Sequence, residues 1–200
     1  MEYLAHTDKN RTQTMKEHLY GTAELAGKFA GRFGKEEWGY CCGLLHDIGK
    51  YSEAFQEKIR NNSDRRVDHS TAGARVCEEE GGLYPFLEYC IAGHHAGLPD
   101  YGSSSDAGNA PTLSGRRKKK IDDYSAYKDE IQIPELKTVP FDPGKTSDPD
   151  YSLSVFIRML FSCLVDADFL DTERFMKAGD TGREAGESLE KLLRKLETHI

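Results

Sequence analysis

The sequence predicts an all-α fold, a helical bundle, on three observations. Apolar residues recur at helical spacing over most of the chain. Alternating strand patterns are nearly absent, and stops rich in Gly or Pro separate the periodic segments. Met15 to Phe33 carries the first helix, with Leu19, Ala23, Ala26, Phe29 and Ala30 on one stripe. A second is expected from about Lys35 to Asp47, with Gly49 as its stop. Ser52 to Ile59 reads as a short third helix, followed by the polar turn "NNSDRR". Asp68 or Ser70 can cap a fourth helix reaching Glu80, where "EGG" ends it. Leu83 to His95 forms the fifth. From Asp100 the composition shifts to Gly, Ser, Asp and Pro, with little apolar area to offset the entropy of ordering. A mobile surface loop is therefore expected over about residues 100–118. "KKKIDDYSAYKDEI" is a candidate helix, and "IPELKTVPFDPGKTSDPD" a Pro-containing connector. A long apolar helix from Tyr151 to about Leu170 follows, and the amphipathic "GESLEKLLRKLETHI" closes the chain. No internal repeat interrupts this order, and residues 1–200 are expected to form one domain.

Composition narrows the function classes. With 38% hydrophobic and 30% charged residues the chain reads as globular, and no apolar run is long enough to span a bilayer. The N-terminal segment lacks the basic-then-apolar layout of a secretion signal. Five cysteines, an odd number without a CxxC pair, read as reduced core thiols in a cytoplasmic protein. A net charge of −7 argues against a general nucleic-acid coat. It leaves room for a nucleic-acid enzyme, because bound cations and one basic patch can reverse the local field. The one dense basic run, "GRRKKK" (Gly115 to Lys120), reads first as a solvated loop end and second as a phosphate contact.

Five of seven histidines fall at helix ends or on helix faces beside other polar residues. His18 is early in the first helix, His46 and Asp47 end the second, His69 opens the fourth, and His94 and His95 end the fifth. Adjacent helical residues point about 100° apart, so a pair in a last turn reaches one centre only if that centre lies near the helix end. Helical bundles build metal sites from inward ligands on several helices. Alone, each element is weak: a lone histidine is more often a hydrogen-bonded core or surface residue. The ordered set is what carries the metal reading.

The segments "HLYGTAELA", "GLLHDIGKYSEAFQ", "DHSTAGA", "GHHAGLPD" and "LVDADFLDTE" together resemble HD-domain metallophosphohydrolases. More narrowly, they are similar to the HD nuclease domain of the CRISPR-associated type I helicase-nuclease. The resemblance runs from His18 to Glu173. It implies two divalent ions, one held by His18, His46, Asp47 and a late aspartate, the other by Asp47, His69, His94 and His95. It further implies hydrolysis of DNA, preferably single-stranded, in antiviral defence. A helicase domain or subunit and an RNA-guided surveillance complex would be the partners, and the chain alone would be monomeric. An HD-type hydrolase of nucleotides or cyclic nucleotides is the alternative. No GxxxxGK[ST] loop occurs, so the expectation is a stand-alone nuclease subunit or an excised domain. Imidazole-rich ligands favour manganese, iron, cobalt, nickel or zinc over an all-oxygen magnesium site, with the identity left open.

Two carboxylates compete for the late position. Asp166 and Asp168 lie about 200° apart on a helix and cannot share one site. The Asp168 face also carries Ile157, Phe161, Leu164 and Val165, so a carboxylate there needs a cation; Asp168 is favoured. Lys50, three residues after Asp47, reads as a catalytic cation aimed at a substrate phosphate, or else as a helix-terminal charge. Ser70 could orient a ligand, contact phosphate or cap its helix. Trp38, Tyr20, Tyr40 and Tyr51 read as packing rather than base-stacking residues. His6 and His199 receive no role.

Overall fold

The computed structural model describes residues 2–8, 10–179 and 187–199. The helices are α1 (Met15–Ala30), α2 (Glu36–Leu45), α3 (Glu53–Arg60), α4 (Ser70–Glu80), α5 (Pro85–Gly93), α6 (Leu113–Lys118), α7 (Pro149–Met176) and α8 (Leu189–Glu197). No helix is long and apolar enough to cross a membrane among the described residues. The fold is mostly helical, with one addition the periodicity did not reveal. Strands β1 (Leu4–Asp8) and β2 (Arg11–Thr14) pair as an antiparallel hairpin with an irregularity between Leu4 and His6. Among the described residues of this hairpin only Ala5 and Gln13 are buried, so it shows no apolar alternation. Gln56 on α3 holds its outer edge, accepting from Leu4 N at 2.9 Å and donating to Leu4 O at 3.0 Å.

Thr14 ends the hairpin and starts α1 through a capping box, its hydroxyl accepting from Glu17 N while the Glu17 carboxylate accepts from Thr14 N. Helices α1 and α2 then cross at very close range. A Cβ on Gly39 would lie 2.2 Å from Ala26 O, and one on Gly43 2.7 Å from Ala23 Cα. Only glycine permits that approach. Its consequence is that the His18 and His46 rings sit 5.1 Å apart. Behind them lies the core: Met15, Leu19, Trp38, Leu44, Leu45, Ile48, Leu87, Ile91, Leu160 and Leu164 are fully buried. Each contributes roughly 1.5–3 kcal/mol by leaving water. Trp38 packs edge-on against Phe156 at 5.0 Å and donates its indole N–H to Thr138 O, a packing role throughout. All five cysteines are free, four of them buried.

Several boundaries differ from those expected. Gly49 does not stop a helix in left-handed conformation: α2 ends at Leu45 and Gly49 lies in a 3-10 turn, Ile48–Tyr51, with an ordinary negative φ. The segment assigned to a loop over residues 100–118 contains α6, capped by Thr112, with Leu113, Ser114 and Gly115 buried. Its basic run is anchored rather than solvated, because Arg117 forks onto the buried Glu88 carboxylate at 2.9 Å and Lys119 pairs with Asp68. "KKKIDDYSAYKDEI" yields only the 3-10 turn Ser125–Asp129. Helix α7 runs six residues past Leu170, to Met176, and its extra turn buries Asp171. In the closing segment, Gly186 and Ile200 lie outside the described residues.

Candidate metal centre

Helices α2 and α5 end in the same local device. His46 follows Leu45 and His94 follows Gly93, each in helical conformation at the C-cap. Each Nδ1–H donates at 2.7 Å to the carbonyl three residues back, Gly43 O and Ile91 O. Those carbonyls would otherwise be orphans of the last turn. The bond fixes the tautomer, so both Nε2 lone pairs point out of the helix end toward one centre. His69, at the N-cap of α4, likewise donates from Nδ1 to Val67 O at 3.2 Å. His18 uses a carboxylate instead, its Nδ1 lying 2.9 Å from Asp171 Oδ2.

The four Nε2 atoms converge on Asp47. Asp47 Oδ2 lies 3.3 Å from His18 Nε2 and 3.4 Å from His46 Nε2, and Asp168 Oδ1 lies 3.4 and 3.5 Å from the same two nitrogens. The other oxygen, Oδ1, lies 3.3 Å from His94 Nε2 and 3.4 Å from His69 Nε2. His95 Nε2 completes the second group, 2.7 Å from His69 Nε2. The seven residues thus form two quartets sharing Asp47, with the ligand atoms of each quartet within 4.8 Å of one another. Asp168 reaches the first quartet, whereas Asp166 is exposed on the opposite face of α7. Lys50 is buried, its ammonium 2.6 Å from Asp47 Oδ2, so it is no solvent-facing helix-end charge. Ser70 does not cap α4; Asp68 does, accepting from Thr71 N at 3.1 Å, while Ser70 Oγ accepts from Arg116.

These residues fit divalent cations on their own chemistry. His46 Nε2, His94 Nε2 and Asp47 Oδ1 are buried without a hydrogen-bond partner. Leaving such groups unmade costs about 1–3 kcal/mol each. Two imidazole lone pairs facing each other at 2.7 Å need a proton or a cation between them. Separations of 3.3–3.5 Å are also those left between ligands about 2.0–2.2 Å from a shared ion. The electrostatics agree. Burial pushes the Asp47 carboxyl up, but Lys50, His46 and His69 outweigh it and hold the group well below its usual range. Asp168 behaves likewise, burial being overcome chiefly by His46. Burial alone would lower His46, yet Asp47 and Asp168 draw it up to about 10, the signature of a strongly cation-seeking field. On the second quartet burial lowers His69, and burial with His94 lowers His95 to about 4, so both present neutral nitrogens.

Three neighbours had no signal in the sequence. Asp171, one turn beyond Asp168, is buried and held by Gln13 Nε2 at 2.7 Å as well as by His18. His6, on β1, sets its ring edge-on to His18 at 4.8 Å, and burial, Lys50 and His18 lower it to about 3. Capping-box and strand patterns could have suggested the hairpin, but nothing local pairs Gln13 or His6 with α1 and α7. Asp171 positions His18, so Asp171→Ala is expected to weaken metal affinity of the first quartet by about 10–100-fold. Manganese titration by calorimetry checks this; two unchanged affinities would show that Asp171 is only a packing residue.

In the first quartet only Asp168 is half-buried and the other three are buried, whereas in the second His69 is half-buried and His95 exposed, so the second is the more open to solvent. Beside it runs a cleft of about 430 Å³ between residues 66–70 and 108–119. The family model described as HD domain matches residues 15–127. No curated protein matches the chain.

Proposed function

This chain belongs to the HD domain family, and from that premise we propose that it is a metal-dependent nuclease hydrolysing DNA, preferably single-stranded, in type I CRISPR interference. Membership implies metal-dependent hydrolysis of a phosphate ester. The narrower reading rests on the five segments from "HLYGTAELA" to "LVDADFLDTE", with the doubled histidine and the "HSTAGA" block. One observation supports a two-ion centre above all: the two oxygens of Asp47 face different quartets.

When bound, the two ions supply Lewis-acid polarisation of the phosphoryl oxygens and a water activated near neutral pH. The chain supplies the rest. His18, His46, Asp47 and Asp168 would hold one ion; Asp47, His69, His94 and His95 would hold the other. Carbonyls of Gly43, Val67 and Ile91 and the Asp171 carboxylate fix the imidazoles. Lys50 Nζ, held on Asp47 and beside the Phe55 ring, offers a cation for charge growing on the phosphate. The first quartet, with three of its four residues buried, limits access of bulk water, and the more open second quartet admits substrate. A helicase and an RNA-guided complex would deliver the strand.

Purified protein with manganese is expected to cut circular single-stranded DNA, and chelation is expected to stop it. Digestion indifferent to chelator and to Asp47→Ala, or phosphate release from mononucleotides with DNA left intact, would overturn the proposal.

A further inference from the structure

We propose that the cleft beside the second quartet is a phosphate subsite, in which the Arg116 guanidinium holds a backbone phosphate of the strand next to the one being cut. It deepens, and rests on, the nuclease reading. The cleft lining includes Arg66, Asp68, His69, His95, Arg116 and Lys119; Lys119 offsets Asp68, so the wall is net basic, and its floor is two candidate ligands of the second ion.

What singles out Arg116 is how the other cations nearby are used. Arg117 is spent on Glu88, and Lys119 on Asp68. Lys118 donates to the carbonyls of Ser104 and Asp106. Arg116 has no carboxylate partner among the described residues. Its Nη1 donates to Ser70 Oγ at 3.1 Å and Thr71 Oγ1 at 3.3 Å, and its Nε is buried without a partner. The hydroxyls orient the guanidinium but leave its charge uncompensated. A partly buried cation without a counter-charge is costly, and a phosphate oxygen at the guanidinium would supply that charge. Ser70 and Thr71 open α4 directly after His69, so the same backbone fixes the guanidinium and a candidate metal ligand. Arg66, exposed and without a charge partner among the described residues, continues the basic lining toward solvent. That extension suits a polymer that carries further phosphates along the cleft beyond the one next to the scissile bond.

The test reads binding of a labelled single-stranded DNA oligonucleotide to manganese-loaded protein by anisotropy, before appreciable cleavage. Arg116→Gln is expected to raise Kd by at least about tenfold. Its salt dependence should become shallower by about 0.7 in the log–log slope, the share of one single-strand phosphate. Lys120→Gln removes the same charge from an exposed position outside the cleft lining and should change Kd less than twofold. Manganese content measured on Arg116→Gln reports whether the quartets persist. If that variant fails to fold, Arg66→Gln carries the test, with an expected loss of about threefold. Wild-type affinity in Arg116→Gln, equal losses in Arg116→Gln and Lys120→Gln, or no binding by the wild type would each overturn the subsite. Hydrolysis of bis(4-nitrophenyl) phosphate by the wild type with manganese tests the catalytic reading separately. No hydrolysis alongside Arg116-dependent binding would sink that reading and keep the subsite.

Discussion

Wild-type protein is expected to bind two manganese ions per chain and Asp47→Ala none, with a loss of cleavage of more than about 10³-fold. The expectation follows from geometry: Oδ2 serves the quartet of His18, His46 and Asp168, and Oδ1 that of His69, His94 and His95. One substitution therefore removes a ligand from both. It also removes the counter-charge 2.6 Å from the buried Lys50 ammonium. Breaking a buried pair by deleting one partner costs about 3–5 kcal/mol, because the remaining charge is stranded. Chelator-treated Asp47→Ala should accordingly unfold at lower denaturant than chelator-treated wild type. Asp47→Ala with Lys50→Met should recover most of that stability and none of the metal. Metal analysis and denaturation of the three proteins separate the two roles. Two ions retained by Asp47→Ala would end the bridging assignment.

Six of the seven quartet residues were legible because they lie in short signatures near helix termini, whereas Asp168 lies within α7. "HD" and "HH" are weak alone, but both fall where apolar periodicity ends, and a terminal pair can serve one centre only beyond its helix. The choice of Asp168 over Asp166 rested on the helical angle, the apolar residues sharing its face and the resemblance's "AD-aromatic" pattern, which also falls on Asp168. Asp171 was not legible. Its partner, His18, is 153 positions away, and on the sequence it is one more acidic residue after the apolar run ends. His6 escaped for a different reason. Its hairpin is held by backbone pairing and by Gln56 rather than by an alternating apolar face.

The misreading of residues 113–119 has a physical cause as well. Composition registers low apolar content but not that one leucine can be fully buried, nor that a buried glutamate can fix a basic run. Glu88 looks like a surface residue of α5 until Arg117 is placed against it. Helical periodicity thus located the elements whose stability comes from apolar faces. It passed over those held by polar pairs between distant segments, and the cleft wall is one of these.

Gly49 is where the two kinds of reading make opposite predictions. If it ended a helix in left-handed conformation, Gly49→Asn would be tolerated better than Gly49→Ala. The structure instead places it against α4's first turn, where a Cβ would lie 2.3 Å from His69 O and 2.5 Å from His69 Cα. Both atoms are backbone, so no side-chain rotation relieves the clash. The turn carrying Asp47 and the segment carrying His69 must separate, lengthening the 3.4 Å approach of His69 Nε2 to Asp47 Oδ1. Gly49→Ala is therefore expected to cost about 1–3 kcal/mol or more by overpacking. It should halve the metal content by releasing the second ion, and a displacement of about 1 Å there should cut cleavage by about 100-fold. Gly49→Asn, being larger, should be worse on all three measures. Metal analysis, denaturation midpoints and single-strand cleavage of both variants decide it. A Gly49→Ala protein with two ions and an unshifted midpoint would mean that the close packing of this turn on His69 is not what holds the second quartet together.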